Sequence, residues 1–159
     1  MNLKEIRNEF GLSQQQAADI VGIPLRTYVR YESDDMYGDQ LKRQMIINTI
    51  INKCEITETK GMLNINTIKR IVSNLLETEF KEEVYFCYLF GSYAKGYAKE
   101  NSDVDLCVST SLTGFKFAGL SEKLHTVLHK NIDLIKLDTL KDNYELLNEI
   151  MKDGIKIYG

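Results

Sequence analysis

The most informative part of the chain is the stretch Leu89-Phe90-Gly91-Ser92-Tyr93-Ala94-Lys95-Gly96, which is followed by Asn101-Ser102-Asp103-Val104-Asp105-Leu106. One apolar run ends at the Gly-Ser pair, and a second apolar run carries two aspartates one residue apart. Because side chains at positions i and i+2 of a strand point to the same face, Asp103 and Asp105 are predicted to lie side by side. Two adjacent carboxylates repel each other unless a cation lies between them, so the pair indicates a cation site.

The residues before the aspartates add a phosphate-binding element. Hard divalent cations such as Mg²⁺ take oxygen ligands and bring the phosphates of a substrate with them. Gly91 and Ser92 form a turn that leads into a short helix, and such a turn offers backbone N–H groups to phosphates. Together these elements predict a site for metal-assisted phosphoryl or nucleotidyl transfer.

The composition is that of an ordinary globular protein. The 159 residues are 43% hydrophobic and 27% charged, which fits one medium domain or two small ones. The net charge of −3 gives no overall attraction to nucleic acid or anionic membranes, so any DNA contact must come from a local patch. We find no secretory or membrane-spanning segment, and Cys54, Cys87 and Cys107 lack a CxxC spacing. These features predict a cytoplasmic protein with reduced thiols and no membrane partner.

The N-terminal third predicts short helices joined by tight corners. Ser13 is placed to cap a helix, with Gln16 as its capping-box partner, and Gly22 ends that helix. Pro24 suits the first turn of the next helix. The predicted helices span residues 3–10, 14–21, 25–32 and 39–53.

Two short helices joined by a small turn form a helix-turn-helix. The pattern resembles the Cro/repressor-type (XRE-like) DNA-binding domain and reads Leu12-Ser13-Gln14 … Ala17-Ala18 … Gly22-Ile23 … Thr27-Tyr28 … Arg30-Tyr31-Glu32. The resemblance implies that Gln14 touches the DNA backbone of an operator. It also implies a set of residues facing the major groove, namely Leu25, Arg26, Thr27 and Arg30. Residues 1–60 hold eight basic and nine acidic residues, so a helix-turn-helix used only for dimerisation or protein contact is the alternative.

The remainder of the chain alternates helices and strands. We interpret residues 55–61 as a linker between a domain over residues 1–55 and a domain over residues 61–159. Strands are predicted at 84–90, 103–109, 132–137 and 155–158, and helices at 65–76, 92–98, 115–130 and 140–151. This order predicts an α/β domain with helices packed on a sheet.

The C-terminal domain resembles the minimal nucleotidyltransferase (MNT) family of the DNA polymerase beta superfamily. The resemblance rests on the Gly-Ser turn, the Ser102-Asp103-Val104-Asp105-Leu106 segment, Asp133 on a later strand, and the ending Glu149-Ile150-Met151-Lys152-Asp153-Gly154. It implies a nucleotidyltransferase fold with a mixed sheet. Lys95 stands where the family most often has Arg, and Lys lacks the bidentate fork of Arg.

The resemblance also implies the chemistry. Asp103 and Asp105 would bind Mg²⁺ on the phosphates of ATP, and Asp133 would complete a second metal position and help to activate the attacking hydroxyl. Gly91 and Ser92 would hold the phosphates, with Lys95 as a weaker contact. Two alternatives stay open: an inactive fold retained as a binding module, and an Asp133 that lies at a strand end in water.

The acceptor is suggested by the family alone. Small MNT proteins are typically antitoxins that transfer AMP to a tyrosine of a HEPN-type ribonuclease toxin, and a fused helix-turn-helix fits an antitoxin that represses its own operon. A regulator that senses nucleotide without turnover, or a nucleotidyltransferase acting on an antibiotic, are the alternatives. A homo-oligomer is also compatible with the sequence. His125 and His129 have a spacing that can bind metal but lack the Glu of HExxH, so we expect an ordinary helix face there.

Overall fold

The N-terminal unit is a bundle of four helices in the computed structural model, which describes residues 2–159 and divides after Glu55. The first residue of the predicted N-terminal domain lies outside the described range. The helices are α1 (Leu3–Glu9), α2 (Gln14–Val21), α3 (Leu25–Ser33) and α4 (Gln40–Cys54).

The helix boundaries follow from capping. The Ser13 side chain accepts a hydrogen bond from the Gln16 backbone N–H, and the Gln16 side chain accepts one from the Ser13 backbone N–H, so the predicted capping box is confirmed. Gly22 ends α2 in the left-handed conformation at φ 76°, which a glycine adopts without strain.

The core of this unit contains Ala17, Ala18, Tyr28 and Ile50, all with no exposed surface. Arg43 is also buried, and its guanidinium donates to the carbonyl oxygens of Tyr31 at 2.5 Å and Asp34 at 2.6 Å. Those hydrogen bonds tie the end of α3 to α4.

The C-terminal unit, from Ile56 onward, is an α/β domain. Its helices are α5 (Ile65–Glu79), α6 (Gly91–Lys95), α7 (Gly114–Leu128) and α8 (Tyr144–Asp153), with a 3₁₀ turn at Leu137–Leu140. Its strands are β1 (Val84–Phe90), β2 (Val104–Thr110), β3 (Ile132–Lys136) and β4 (Ile155–Tyr158).

The four strands form a mixed sheet in the order β3-β2-β1-β4. The β1–β2 and β1–β4 pairs are antiparallel, whereas β2 and β3 run parallel. One sheet face packs on α5 and α7 through residues such as Leu89, Leu106 and Leu120. The other face carries a smaller cluster of Phe90, Cys107, Leu140 and Ile150. The predicted α/β fold with a mixed sheet is confirmed.

Several boundaries differ from the sequence predictions for local reasons. Helix α6 ends at Lys95 instead of continuing to residue 98, because Gly96 adopts the left-handed conformation at φ 82°. Helix α8 begins at Tyr144 instead of residue 140, because Asn143 caps it after the 3₁₀ turn. Ile56 packs on the C-terminal core, so most of the predicted linker lies within the second unit. None of the helices within residues 2–159 combines the length and apolar character needed to cross a membrane.

Candidate active site

Asp105 lies near the start of the central strand β2, between two neighbours in the sheet. Phe90, the last residue of β1, is its register partner on one side. Asp133 on β3 is its register partner on the other side. Directly opposed residues of adjacent strands point to the same face, so the fold brings the carboxylates of Asp105 and Asp133 together. Asp103 precedes β2 and is exposed.

The surroundings of Asp105 disfavour the ionised form of its carboxyl group. Burial raises the pKa of this carboxyl to about 6, and the negative charges of Asp133, Asp103 and Glu149 add to the effect. Within residues 2–159, no lysine, arginine or histidine forms an ion pair with Asp105. A bound cation would therefore stabilise the ionised form of this carboxylate.

Gly91, the first residue of α6, packs against this carboxylate. A Cβ atom at position 91 would lie 2.1 Å from Oδ2 and 2.8 Å from Cγ of Asp105, which no side chain can occupy without displacing the aspartate. The backbone of Gly91 also has a φ of 68°, a left-handed conformation that favours glycine. The backbone conformation thus favours glycine, and a larger residue would displace the carboxylate of Asp105.

Lys95 ends α6 and forms an ion pair with α8. Its Nζ lies 2.6 Å from Oε1 of Glu149, and both side chains are about one-third exposed. This hydrogen bond raises the pKa of Lys95. Glu149 is a residue that sequence reasoning did not assign to the site, although it lies in the ending that resembles the family. It connects Lys95 to the aspartate cluster, because its charge also raises the pKa of Asp105.

The carboxylates suit a cation that the substrate helps to hold. Among the described residues, no three His, Cys, Asp or Glu side chains converge into a complete metal cage. Mg²⁺ is usually held by one or two carboxylates plus water and substrate phosphates, and seldom by a cage of protein ligands alone. The Asp105–Asp133 pair, with Asp103 nearby, matches that donor set.

The comparison with known families assigns this domain. The family model described as "Polymerase beta, Nucleotidyltransferase" matches residues 66–159, more than half of the chain. The chain belongs to the polymerase beta nucleotidyltransferase family. A helix-turn-helix family model matches residues 3–37. Both family resemblances predicted from the sequence are confirmed.

Two individual proteins are similar to this chain over parts of its length. The protein adenylyltransferase MntA of Shewanella oneidensis is 32% identical over 74 residues, which are 45% of this chain and 52% of MntA. The chain thus spans about half the length of that relative. A protein of Methanocaldococcus jannaschii, provisionally assigned as a protein adenylyltransferase, is 32% identical over 95 residues, which are 58% of this chain and 91% of that protein.

A solved structure shows the same fold. The crystal structure of a toxin-antitoxin with AMP-PNP matches with a TM-score of 0.50 and 27% identity. The match covers 57% of this chain and 73% of that chain. The nucleotidyltransferase architecture inferred from the sequence therefore has an experimental counterpart.

The helix-turn-helix unit places its predicted DNA-contacting residues on α3 and at the start of α2. Leu25, Arg26 and Arg30 are exposed, and Thr27 is half-buried. The amide of Gln14 donates a 2.9 Å hydrogen bond to Glu32 within the unit, which fixes the side chain at the start of α2. Its contact with the DNA backbone stays a prediction.

The remaining candidate residues are two histidines on or next to α7 and two cysteines in the sheet. Nε2 of His125 lies 3.0 Å from Oε1 of Glu58, and His129 follows the end of α7 with a φ of 55°. Cys87 and Cys107 are buried in the sheet as predicted, and burial raises the pKa of both thiols. Buried thiols with raised pKa values are poor nucleophiles.

Proposed function

We propose that this protein is an Mg²⁺-dependent adenylyltransferase that transfers AMP from ATP to a tyrosine of a partner HEPN-type toxin, and acts as the antitoxin of that pair. The observation that carries the proposal is Asp105, a half-buried carboxylate with other acids as neighbours, whose pKa is raised and which forms no ion pair with a protein cation among the described residues. Such a cluster destabilises a domain that binds nothing there.

The residues present fit a divalent cation. Asp105 and Asp133, with Asp103 nearby, would hold it together with the phosphates of ATP, and the adjacent Gly91-Ser92 turn would bind those phosphates. When bound, the cation neutralises charge on the phosphates and on the departing pyrophosphate.

The residues of this chain supply position and proton transfer. Gly91 lets the start of α6 approach the carboxylate of Asp105 closely. The tyrosine oxygen attacks the α-phosphorus of ATP and a new O–P bond forms. The bond from that phosphorus to the oxygen bridging to the β-phosphate breaks, and pyrophosphate leaves. In this proposal Asp133, which is exposed, accepts the tyrosine proton.

The relatives support this acceptor class. MntA of Shewanella oneidensis is named a protein adenylyltransferase, and the matched crystal structure is of a toxin-antitoxin with AMP-PNP. A protein acceptor and an adenine nucleotide donor are therefore the natural assignments for this chain. The HEPN class of the toxin and its tyrosine follow from the family resemblance.

The N-terminal unit is proposed to bind the operator of its own operon. The exposed Arg26 and Arg30 on α3 are the residues that can reach base edges or phosphates. The guanidinium of Arg30 lies 5.8 Å from the centre of the Tyr37 ring, which orients its stem while leaving it exposed. A mobility-shift assay with the promoter DNA tests this part, and an Arg26→Ala/Arg30→Ala variant should lose binding.

Intact-mass spectrometry tests the transfer. The full chain is incubated with ATP, Mg²⁺ and the HEPN-type protein encoded beside it. The proposal expects the toxin to gain one or more AMP units, and expects the Asp103→Asn/Asp105→Asn variant to give none. Asp142→Asn, an exposed aspartate in the turn before α8, is the matched control and should behave as wild type. An unmodified toxin in the presence of bound ATP would instead favour a nucleotide-sensing regulator.

A further inference from the structure

Lys130 is a buried lysine in the turn between α7 and β3 of the C-terminal unit. Its ammonium group donates to three backbone carbonyl oxygens, those of Lys60 at 3.2 Å, Gly61 at 2.7 Å and Glu100 at 2.5 Å. A lysine ammonium has three N–H donors, so these contacts use all of them. Because a buried charge is costly without partners, the burial of Lys130 is tolerated only while the three carbonyl groups stay in place.

Glu100 lies in the segment 96–103, which connects α6 to β2 without regular secondary structure. Residues 97–103 are exposed or half-buried, so packing contributes little to fixing their position. A turn is closed within this segment, because the Lys99 backbone N–H donates to Ser102 Oγ at 2.8 Å and the Ser102 backbone N–H donates to the Lys99 carbonyl oxygen at 2.9 Å. The hydrogen bond from Lys130 to Glu100 attaches this turn to the residues that lead into β3.

Asp103 follows this turn and lies just outside the sheet, whereas the other two aspartates of the site lie on the paired strands β2 and β3. The pairing of those strands begins at Val104, whose backbone N–H also donates to the Asn131 carbonyl oxygen at 2.9 Å. The sheet therefore fixes the chain from Val104 onward. The position of Asp103 depends also on the preceding turn, which Lys130 holds through Glu100.

We propose that Lys130 is a positioning residue for the transfer reaction. Its ammonium group holds the turn over residues 99–102 against the start of β3, and so keeps Asp103 beside Asp105 and Asp133. The inference rests on the proposed function, because it concerns the cation that Asp103 helps to bind. Lys130 acts through the backbone of the turn and makes no contact with the substrate.

The sign of the effect separates positioning from simple electrostatics. Lys130→Met removes a positive charge from the domain, which by electrostatics alone would strengthen the binding of a cation. A displaced Asp103 would weaken it. Lys136→Met is the matched control, because the Lys136 side chain is 17% exposed and donates to the Leu112 carbonyl oxygen at 2.8 Å, beyond the opposite end of β2 from Asp103. The control removes the same charge and a comparable hydrogen bond.

Titration of the full chain with Mn²⁺ in the presence of AMP-PNP tests the proposal, with folding of each variant checked by circular dichroism. Lys130→Met is expected to bind Mn²⁺ about tenfold more weakly than wild type, and Lys136→Met to bind it like wild type. In an Asp103→Asn background, Lys130→Met should cause no further loss, because its effect passes through Asp103. Lys130→Gln keeps N–H donors on a shorter side chain, so it should give an intermediate affinity. It supplies the test if Lys130→Met does not fold.

Hydrogen exchange in the absence of metal and nucleotide gives a second readout. The backbone N–H groups of Lys99 and Ser102 close the turn, and they should exchange faster in Lys130→Met than in wild type. In Lys136→Met they should exchange as in wild type. Unchanged exchange in Lys130→Met would overturn the inference, because the turn would then be held without the lysine.

The outcomes distinguish this inference from the proposed function. Wild-type Mn²⁺ affinity in Lys130→Met, or a full further loss when Lys130→Met is added to Asp103→Asn, would overturn the inference and leave the proposed function intact. A wild-type chain that binds no Mn²⁺ with AMP-PNP would overturn both.

Discussion

Two carboxylates, one in each unit, have opposite surroundings. Glu32 in the N-terminal unit lies 2.7 Å from the Arg7 guanidinium and accepts a hydrogen bond from Gln14 at 2.9 Å. Burial works against the charge of Glu32, but these hydrogen bonds outweigh it and lower the pKa of the carboxyl. Asp105 in the C-terminal unit has other acids as neighbours, and burial raises its pKa to about 6.

Glu32 therefore stabilises the fold through contacts within the protein, whereas the charge of Asp105 needs a bound ligand to be stabilised. The charge of Glu32 is compensated by protein groups, so its removal should cost stability. The charge of Asp105 is compensated by nothing in the described chain, so its removal should cost activity but not stability. Stability and activity measurements on variants of the two sites therefore test this difference.

The largest stability effect is expected at the N-terminal pair. Arg7→Met leaves the Glu32 side chain, only 4% exposed, without its cation, and should lower the free energy of unfolding by about 3–5 kcal/mol. Urea denaturation of the full chain followed by circular dichroism measures this loss. Adding Glu32→Gln to Arg7→Met removes the stranded charge and should recover part of the loss. No recovery would mean that packing of the arginine stem, and not charge, dominates.

A smaller effect of opposite sign is expected at Asp105. In metal-free buffer at pH 7.5, Asp105→Asn should raise the free energy of unfolding by about 1 kcal/mol, after allowance for solvent screening. Thermal and urea unfolding in the presence of a chelator measure it. A large loss of stability would show that Asp105 is a structural residue and would contradict the contrast.

The two carboxylates should also give opposite pH dependences. The folded-state pKa of Asp105, about 6, lies above its ordinary value of 3.8, so its contribution is favourable at low pH and is lost as the pH rises towards and through 6. The stability gained by Asp105→Asn should therefore be small at pH 4 and grow towards pH 7. Glu32, with its lowered pKa, stabilises the fold above its ordinary pKa, and that contribution is lost as the pH falls through the lowered value. Identical pH profiles for wild type and Asp105→Asn would contradict the assignment.

The smallest effect is expected at the ion pair beside the site. Glu149→Gln leaves Lys95 without its anion, and should change the KM for ATP by about two- to fivefold because the pair is partly exposed. Steady-state kinetics of AMP transfer measure the KM and kcat separately. Glu145→Gln, one turn earlier on α8 and exposed, is the control and should leave both unchanged. A loss of kcat with an unchanged KM would instead assign Glu149 a role in the chemical step.

Local patterns predicted much of the fold. The strands predicted over Val84–Phe90 and Ile155–Tyr158 coincide with β1 and β4. The first is a continuous apolar run next to turn residues, which leaves few alternatives to a buried strand. The sequence also singled out Asp103, Asp105 and Asp133, and the register places Asp105 opposite Asp133.

Long-range contacts could not be predicted in this way. Lys130 looks like a surface residue in the sequence, yet it is fully buried and donates to the carbonyl oxygens of Gly61 at 2.7 Å and Glu100 at 2.5 Å. The Lys95–Glu149 pair likewise joins residues far apart in the chain. Such contacts depend on how elements pack, which periodicity and spacing do not encode.

Mn²⁺ binding shows whether the Asp105 cluster holds a divalent cation together with the nucleotide. Electron paramagnetic resonance would monitor free Mn²⁺ during titration of the full chain in the presence of AMP-PNP. We expect binding by wild type and by the Asp142→Asn control, and at least about tenfold weaker binding by Asp105→Asn. Equal Mn²⁺ affinity in wild type and Asp105→Asn would contradict it.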